Sequence, residues 1–329
     1  MKKKVPYDLF TLGDTTIDLF YQVDEKSEYC SIDQKSCVVC FSFGDKLPVK
    51  SFVRSMAGNS TNVAVSASRL GLNVAFWTVV GEDGNGKEIV NGLKNEGVST
   101  QFVTYDKKHP TNVHVVLHYK GDRTIFVYHQ PFTYPKISLP QTSWVYFSSA
   151  GKGFEKHHPQ LIKEIRRVHA RLAFNPGTYQ LSLGYKVLLP ILKECEILFV
   201  NREEAAGILG VTPSSSYREL LQGLISLGPR HVVITDGQAG AAATDGVDYW
   251  FIGLFGGERF EATGAGDAFA AGVLSGLIQG NSFFEALRWG PVNSWGAVSK
   301  IGPQAGLFTF AQLRSHLKKN PNFKPTRLS

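Results

Sequence analysis

A short loop of small residues stands before a predicted helix in the last quarter of the chain, where residues 261–269 read EATGAGDAF. The small residues up to Gly266 and the helix-forming run after Asp267 predict a loop that leads into a helix N-terminus. Unpaired backbone N–H groups and the positive end of the helix dipole make such an end attractive to anions. Side chains as small as those of Gly264, Ala265 and Gly266 would let a phosphoryl group approach the backbone closely. The sequence therefore predicts an anion hole.

Asp267 falls in the first turn of that helix. A carboxylate is favoured there, which predicts a low pKa and an ionised side chain at neutral pH. A hydroxyl held between Asp267 and the anion hole could lose its proton as it attacks phosphorus. A structural alternative is that Asp267 only caps the helix, and the TGAGD sequence alone leaves these two interpretations even.

Two further segments follow predicted sheet strands. Residues 201–204 read NREE and place Glu204 at the carboxyl edge of the sheet, where it could hold hydrated Mg²⁺; an ordinary helix start is the alternative. Residues 236–240 read DGQAG, a glycine-rich turn suited to nucleotide phosphates or ribose. The chain has no GxxxxGK[ST] sequence, and no predicted strand leads into GxGxxG, which argues against P-loop and dinucleotide sites.

The order of predicted elements defines the fold class. Apolar runs and helical periodicity alternate along most of the chain, which predicts a mostly parallel sheet with helices on its faces. In chain order, the first predicted elements of this alternation are a strand over 7–12, a helix over 59–70, a strand over 74–80 and a helix over 87–95. Further strands are predicted over 144–148, 172–174, 197–200 and 231–235, and the last third reads as mostly helical.

Two stretches break the alternation and read as strands outside the main sheet. They cover residues from about 19–55 and 100–130 and include a hairpin between 113–119 and 124–128. We expect one α/β domain over 1–329, in which these strands form a small β-sheet lid at one end.

Composition limits the class of protein. Apolar residues make up 43% of the 329 residues and charged ones 19%, which is ordinary for a globular chain. Much of the formal charge of +7 lies at the two ends and reads as solvated tails rather than a nucleic-acid patch. No signal peptide and no apolar run of about 18 residues is found, so no membrane partner is expected.

Four cysteines are too few to staple a chain of this length, which favours reduced thiols and a cytoplasmic location. The CxxC from Cys37 to Cys40 lacks a second pair or nearby histidines. It therefore reads as strand cysteines rather than half of a zinc site. No role is assigned to Cys30.

Taken in order and spacing, these motifs resemble the ribokinase family, also called the PfkB carbohydrate kinases. The likeness runs from Gly13 to about Leu307. Residues 57–62, AGNSTN, resemble the family's Gly-Gly-x-x-x-Asn substrate segment, and 80–86, VGEDGNG, continue it. TGAGD is the family's most specific signature.

The resemblance implies an ATP- and Mg²⁺-dependent kinase and assigns roles residue by residue. The catalytic positions are the base Asp267 and the anion hole Gly264, Ala265 and Gly266. The positions that hold substrate hydroxyls are Asp18, Gly58, Asn59 and Asn62. The nucleotide and metal positions are Asn201, Glu204, Thr235, Gly237 and Gly240. The extra strands match the family's lid, which covers the sugar and often pairs between subunits, so a homodimer through the lid is expected.

Three departures from the family pattern leave the acceptor open. Glu261-Ala262 replaces the usual Asp-Thr, and the acidic residue there helps bind a monovalent cation in ribokinase, so potassium dependence is open. Ala57 replaces the first glycine of the substrate segment. Asn59 stands where ribokinase has lysine, and the segment over 21–50 is longer than usual.

A sugar kinase of the ribokinase or fructokinase kind is the first interpretation. A nucleoside kinase of the same fold is the second, with Tyr119, Phe126 and Tyr128 of the lid as candidates to stack on a base; these rings would otherwise form the lid's own core or a dimer contact. A non-catalytic sugar-binding protein is the third, and the intact Asp267 argues against it.

Overall fold

The computed structural model describes residues 6–23, 31–33, 38–41, 44, 46–119, 122–257 and 262–328. In chain order the strands are β1 (Tyr7–Leu12), β2 (Thr16–Val23), β3 (Ser31–Asp33), β4 (Val38–Cys40), β5 (Val49–Ala57), β6 (Val74–Gly81), β7 (Ser99–Asp106), β8 (Val113–Tyr119), β9 (Asp122–Tyr128), β10 (Thr142–Ser148), β11 (Arg171–Asn175), β12 (Cys195–Asn201), β13 (His231–Thr235), β14 (Ala241–Thr244), β15 (Tyr249–Ile252) and β16 (Thr326–Arg327). The helices are α1 (Asn59–Arg69), α2 (Gly84–Asn95), α3 (His158–Val168), α4 (Thr178–Ser182), α5 (Tyr185–Glu194), α6 (Arg202–Leu209), α7 (Tyr217–Ser226), α8 (Ala265–Ile278), α9 (Phe283–Val298) and α10 (Phe310–Lys319).

The larger sheet of the described chain has ten strands in the order β16-β15-β14-β13-β12-β11-β10-β1-β6-β7. Strands β13 through β7 pair in parallel, whereas β14, β15 and β16 pair antiparallel at one edge. The strand order reverses direction between β1 and β10, which creates a crevice at the carboxyl ends of the strands. Open α/β sheets bind their ligands at such a switch point.

Helices cover both faces of this sheet. One face packs against α1, α2, α8 and α9, and the other against α3, α5, α6 and α7. Strand β6, VAFWTVVG, is buried along its whole length, as expected of a central parallel strand covered on both sides. The predicted α/β class with a mostly parallel sheet is confirmed.

The lid is a second sheet of four strands in the order β5-β2-β8-β9. A separate two-stranded ribbon pairs β3 with β4. The prediction of a small sheet outside the alternation is therefore confirmed. Its boundary was wrong in one place, since β7 pairs in parallel with β6 as the edge of the large sheet. The sequence of β7, STQFVTYD, is polar and half-exposed. It contains no apolar run that would indicate a strand of the buried sheet.

Two other sequence predictions are corrected. Helix α2 begins at Gly84 rather than 87, because the Asp83 side chain accepts a hydrogen bond from the Gly86 N–H (2.8 Å) and starts the helix inside the glycine-rich segment. The last third also holds β14, β15 and β16. The sequence AAAT of β14 has little intrinsic strand preference, so its burial decides its conformation.

None of the helices in the described chain is both long and apolar enough to span a bilayer.

Candidate active site

A cleft of about 810 Å³ opens where the carboxyl ends of the parallel strands face the lid. Its walls include residues that directly follow or end β1, β10, β11, β12 and β13, together with the start of α8 and the inner face of the lid. Of the sequence-predicted site residues, those that line it are Asp18, Gly58, Asn59, Asn62, Asn201, Glu204, Thr235, Gly264, Gly266 and Asp267. Residues more than 200 positions apart in sequence thus meet at one switch point.

The N-terminus of α8 forms one wall of the cleft. Gly264 is the N-cap, with a φ of 78° that disfavours other residues, and a Cβ there would lie 2.6 Å from the Cβ of Pro303. A Cβ at Gly266 would meet no atom within 4 Å, so the backbone is open to an approaching group. The Ala265 N–H donates to the Ala262 carbonyl (3.2 Å). The first N–H groups of a helix have no partner within that helix, so those of Gly266 and Asp267 are candidates to meet an anion.

Asp267 lies in the first turn of α8, as predicted, and its side chain is buried against the cleft. The prediction of a low pKa is wrong. Removal from water raises the pKa of this carboxyl to about 7, the Asn62 hydrogen bond lowers it, and the negative charges of Glu204 and Asp18 raise it further. Burial at this site outweighs the helix dipole, which a first-turn position alone does not reveal.

Asn62 connects Asp267 to a residue that sequence reasoning missed. Its Nδ2 donates to Asp267 Oδ2 (2.8 Å), and its Oδ1 accepts from Gln304 Nε2 (2.9 Å). Asn62 and Gln304 are both buried. The amide predicted to hold a substrate hydroxyl is thus already hydrogen-bonded to Asp267. Gln304 lies 242 positions away along the chain, and no local pattern around it indicates this contact.

Asp18 and two histidines form the wall on the lid side. His114 Nδ1 lies 3.3 Å from Asp18 Oδ1, and the His114 ring stacks on that of His129, with centroids 5.0 Å apart. Burial lowers the pKa of His129 to about 4, and the neighbouring His114 lowers it as well. Sequence reasoning did not select either histidine. The alternation of β8 was the available signal, because it puts His114 on the same lid face as Asp18.

Asp14, at the end of β1, is a buried carboxylate at the base of the cleft. It accepts hydrogen bonds from the Tyr134 hydroxyl (2.9 Å) and the Gly151 N–H (2.8 Å). Burial raises its pKa to about 6, and these two hydrogen bonds oppose the rise. Gly58 crosses just above, at a φ of 109°, where a Cβ would lie 2.7 Å from the Asp14 carbonyl oxygen. Only glycine fits this crossing.

Asn201 and Glu204 form a capping box at the start of α6. The Asn201 side chain accepts from the Glu204 N–H and the Glu204 Oε2 accepts from the Asn201 N–H, both at 2.8 Å. The ordinary helix start is therefore present, and both residues also line the cleft. Burial raises the pKa of Glu204, the bond from Asn201 lowers it, and Glu203 raises it.

The predicted nucleotide loop is only partly in the cleft. Thr235 at the end of β13 lines it, whereas Gly237 and Gly240 do not. Gly237 begins a short 3₁₀ turn, and Gly240 has a φ of 114° at a point where a Cβ would lie 2.5 Å from the Ile252 carbonyl oxygen. Asp236, between Thr235 and Gly237, binds Arg202 (2.7 Å).

The remaining predicted positions are placed as follows. Glu261, the candidate monovalent-cation ligand, lies outside the described residues, as do Cys30 and Cys37. The side chains of Phe126 and Tyr128 are more than half exposed and do not line the cleft. The alternation of β9 instead turns Ile125 and Val127 toward the cleft, so the prediction that these aromatic rings reach a substrate base is wrong.

The carboxylates fit a divalent cation. Asp18, Glu204 and Asp267 line one cleft, and the charges of Asp18 and Glu204 both raise the pKa of Asp267. Such mutual repulsion marks negative charge that a cation would offset, and oxygen ligands are those that Mg²⁺ takes. A group of three or more metal-ligating side chains at coordination distance is not found in the described residues.

The chain is similar to known proteins both in sequence and in fold. Residues 19–309 match the sequence profile of the pfkB family carbohydrate kinase. The ATP-dependent 6-phosphofructokinase of Thermoanaerobacterium thermosaccharolyticum is 23% identical over 299 residues, 86% of this chain and 85% of that protein. The structure of Arabidopsis thaliana ribokinase with ribose and ATP superimposes with a TM-score of 0.77 at 19% identity, covering 95% of this chain and 99% of that one. The nucleoside kinase of Methanocaldococcus jannaschii gives a TM-score of 0.75 at 19% identity, covering 96% and 100%.

An open sheet whose switch-point cleft is closed by a β lid and a glycine-capped helix defines a ribokinase-like kinase fold. The chain belongs to the PfkB family of carbohydrate kinases. It is a phosphotransferase with an alcohol group as acceptor, a sugar or nucleoside kinase, and kinases of this family use ATP with a divalent metal.

Proposed function

We propose that this chain transfers the γ-phosphoryl group of ATP to a hydroxyl of a small sugar, as a ribokinase- or fructokinase-like enzyme. The observation that carries the proposal is the pairing of a buried carboxyl with a helix N-terminus in one cleft. Asp267 supplies the first, and the open backbone at Gly266 belongs to the second.

The reaction proceeds by an in-line displacement. The acceptor hydroxyl lies against Asp267, which takes its proton on Oδ1, the oxygen that Asn62 leaves free. The oxygen attacks the γ-phosphorus, the bond between that phosphorus and the β–γ bridging oxygen breaks, and ADP leaves with the electron pair. The N–H groups of Gly266 and Asp267 receive the negative charge on the transferred group.

The pKa of the base suits this task. A carboxyl with a pKa of about 7 is ionised in a large fraction of molecules at neutral pH and is a stronger base than an exposed aspartate. General bases work best when their pKa is near the operating pH. Burial of Asp267 therefore serves the reaction although it opposes the ionised form.

Mg²⁺ would be held near Glu204 through water and would offset charge on the ATP phosphates. Asn201 and Thr235, which both line the cleft, would contact the nucleotide. Gly237 and Gly240 shape the turn that follows Thr235. A monovalent cation such as K⁺ at Glu261 stays a prediction from the family resemblance.

The lid side of the cleft favours a polyol. Asp18, Asn59 and the His114–His129 pair provide polar groups for several hydroxyls. Among the described residues, the buried Nε2 of His114 has no hydrogen-bond partner and the buried Oδ1 of Asp18 has only its 3.3 Å contact with His114 Nδ1, and buried polar atoms without hydrogen bonds are costly. An acceptor with vicinal hydroxyls would satisfy both.

A nucleoside kinase is the second candidate. Ile125 and Val127 of β9 present an apolar strip to the cleft, which would accommodate the face of a base beside a ribose. The sugar proposal is favoured because the aromatic side chains of β9 do not reach the cleft.

The test is acceptor-dependent turnover. Purified protein with ATP and Mg²⁺ should release ADP only when an acceptor is present, in a screen over pentoses, hexoses and nucleosides, and Asp267→Asn should abolish the dependence. Asp248→Asn, on the far edge of the large sheet, is the matched control and should behave as the natural protein. Acceptor-independent ADP release, or turnover only with nucleosides, would refute the sugar assignment. A protein that binds sugars without consuming ATP would be the non-catalytic alternative.

We also propose a homodimer through the lid. In the described residues β9 pairs with β8 alone, so its outer edge carries free backbone groups. Its side chains are unusually exposed for apolar ones, at 57% for Phe126, 62% for Val127 and 63% for Tyr128. An exposed apolar edge strand is a template for a second copy. Sedimentation should give a dimer for the natural chain and a monomer for a Phe126→Ser/Tyr128→Ser variant; a monomeric natural chain contradicts the proposal.

A further inference from the structure

The base of the proposed reaction ends a chain of three buried side chains. Gln304 Nε2 donates to Asn62 Oδ1 (2.9 Å), and Asn62 Nδ2 donates to Asp267 Oδ2 (2.8 Å). The three side chains belong to residues exposed by 5–8%, so water does not replace these bonds. Among the described residues, Asn62 is the hydrogen-bond partner of the Asp267 carboxyl.

Both hydrogen bonds point in the same direction, toward the carboxylate. An amide has a donor end and an acceptor end, and turning it around exchanges them. If Asn62 were reversed, its Oδ1 would face the ionised Asp267 and its Nδ2 would face the donor of Gln304. A donor at Gln304 therefore favours the arrangement in which Asn62 presents an N–H to the base, and aligned bonds of this kind reinforce one another.

The loop that carries Gln304 is itself fixed to the site. Arg69 Nη1 donates to the carbonyl oxygens of Gln304 (2.8 Å) and Leu307 (3.3 Å), while its other nitrogens bind Glu96. The neighbouring Pro303 packs against the N-cap Gly264 of α8. One loop thus contacts both the backbone that would receive the phosphoryl group and the amide that contacts the base.

We propose that Gln304 is a positioning residue for phosphoryl transfer, which fixes the Asn62 amide so that its N–H faces Asp267 Oδ2 and Oδ1 is left for the acceptor's proton. The inference rests on the proposed role of Asp267 as the base. The other charged or titratable groups that act on Asp267 are Asp18 from β2, Glu204 from α6 and Tyr146 from β10. None of these three supplies the carboxyl with a hydrogen-bond donor in the described structure, which leaves the amide chain as its fixed contact.

Two substitutions of Gln304 distinguish the loss of its hydrogen-bond donor from a change in the shape of its side chain. Gln304→Glu keeps the size of the side chain and, when ionised, offers Asn62 only acceptors, so the Asn62 amide turns and presents its oxygen to Asp267. Gln304→Met keeps the size and removes hydrogen bonding. We expect kcat to fall about tenfold or more for the Glu variant and less for the Met variant, with KM for ATP little changed. The acid limb of the kcat profile should move to higher pH, by about one unit for the Glu variant.

A double-mutant cycle tests whether Gln304 acts on Asp267 through Asn62. In an Asn62→Leu background, Gln304→Met should change neither kcat nor the acid limb further, because the connection to the base is already lost. Gln312→Met is the matched control: Gln312 caps α10 through Thr309, so this variant should lower the melting temperature and leave the pH profile unchanged. Melting temperatures of all variants are measured in parallel, and the Met variant carries the test if the Glu variant does not fold.

The outcomes are distinct for the two proposals. Activity retained by Asp267→Asn would refute the base and with it the proposed function. An inactive Asp267→Asn together with an unmoved acid limb in both Gln304 variants would refute the role of Gln304 alone. Full additivity of Gln304→Met and Asn62→Leu would also refute it, because the effect would then not pass through Asn62.

Discussion

Replacing Asp267 with asparagine is expected to remove most of the activity and, at neutral pH, to stabilise the folded protein. The pKa of the carboxyl is about 7 in the fold against an ordinary 3.8. Each unit of difference is worth ~1.36 kcal/mol, so keeping Asp267 ionised at pH 8 costs the fold about 4 kcal/mol relative to a neutral side chain. Asparagine has the same shape, carries no charge and can still accept the N–H of Asn62.

The pH dependence gives this prediction its sign. Between pH 3.8 and about 7 the folded state binds more protons at this site than the unfolded state, so the stability of the natural protein falls as the pH rises through that window. The variant lacks this loss. The free energy of unfolding of Asp267→Asn should exceed that of the natural protein by about 2 kcal/mol at pH 5 and by about 4 kcal/mol above pH 7, and the difference should vanish near pH 3.

Urea unfolding followed by tryptophan fluorescence measures the difference, since the chain has five tryptophans, and kcat is measured on the same samples. We expect kcat to fall by about 10²–10⁴. Asp83→Asn is the matched control, and its expected change in stability has the opposite sign. Three hydrogen bonds from Gly86 and Thr111 hold the pKa of Asp83 below its usual value, although partial burial opposes the shift. That variant should lose stability at pH 7, and the loss should shrink as the pH falls.

An Asp267→Asn variant no more stable than the natural protein at pH 8 would show that burial does not strain this carboxylate. Retained activity would show that it is not the base.

The remaining predictions concern the other parts of the cleft. The profile of kcat/KM should have an acid limb near the pKa of about 7, with activity lost as the pH falls and the base becomes protonated; an acid limb near pH 4 would contradict this. Glu204→Gln should raise the Mg²⁺ concentration needed for half-maximal rate by about 10–100-fold, whereas its exposed neighbour Glu203→Gln should not, and equal effects would refute the metal role. Gly264→Ala should reduce kcat strongly, because the φ of 78° costs roughly 1–2 kcal/mol and the added Cβ meets Pro303 at 2.6 Å. Gly210 is also left-handed, with a φ of 68° and a ψ of 31°, and has open space around it, so Gly210→Ala should cost stability with kcat unchanged.

The sequence was informative where local chemistry decides the structure. The TGAGD segment predicted a loop leading into a helix N-terminus with Asp267 in the first turn, and the structure has both. Alternation of apolar and polar residues located the lid strands, and apolar runs located the parallel ones. The side chains after several strands could be assigned to one edge because parallel strands end on the same side of a sheet.

Contacts between distant segments could not be predicted in the same way. The pKa of Asp267 depends on burial under the lid and on two carboxylates from β2 and α6, so its first-turn position gave the wrong direction. The bond from Gln304 to Asn62 spans 242 positions and has no local pattern. β14 is mostly alanine and was missed, since its conformation comes from pairing with β13 rather than from residue preference.

The most direct test of phosphoryl transfer at the start of α8 is a crystal structure of the complex with ADP, Mg²⁺, an acceptor identified by the turnover screen and aluminium fluoride as a mimic of the transferred phosphoryl group. We expect the mimic within hydrogen-bonding distance of the Gly266 and Asp267 N–H groups, with the acceptor hydroxyl between it and Asp267 Oδ1. A mimic bound away from the start of α8, or an acceptor hydroxyl out of reach of Asp267, would contradict it.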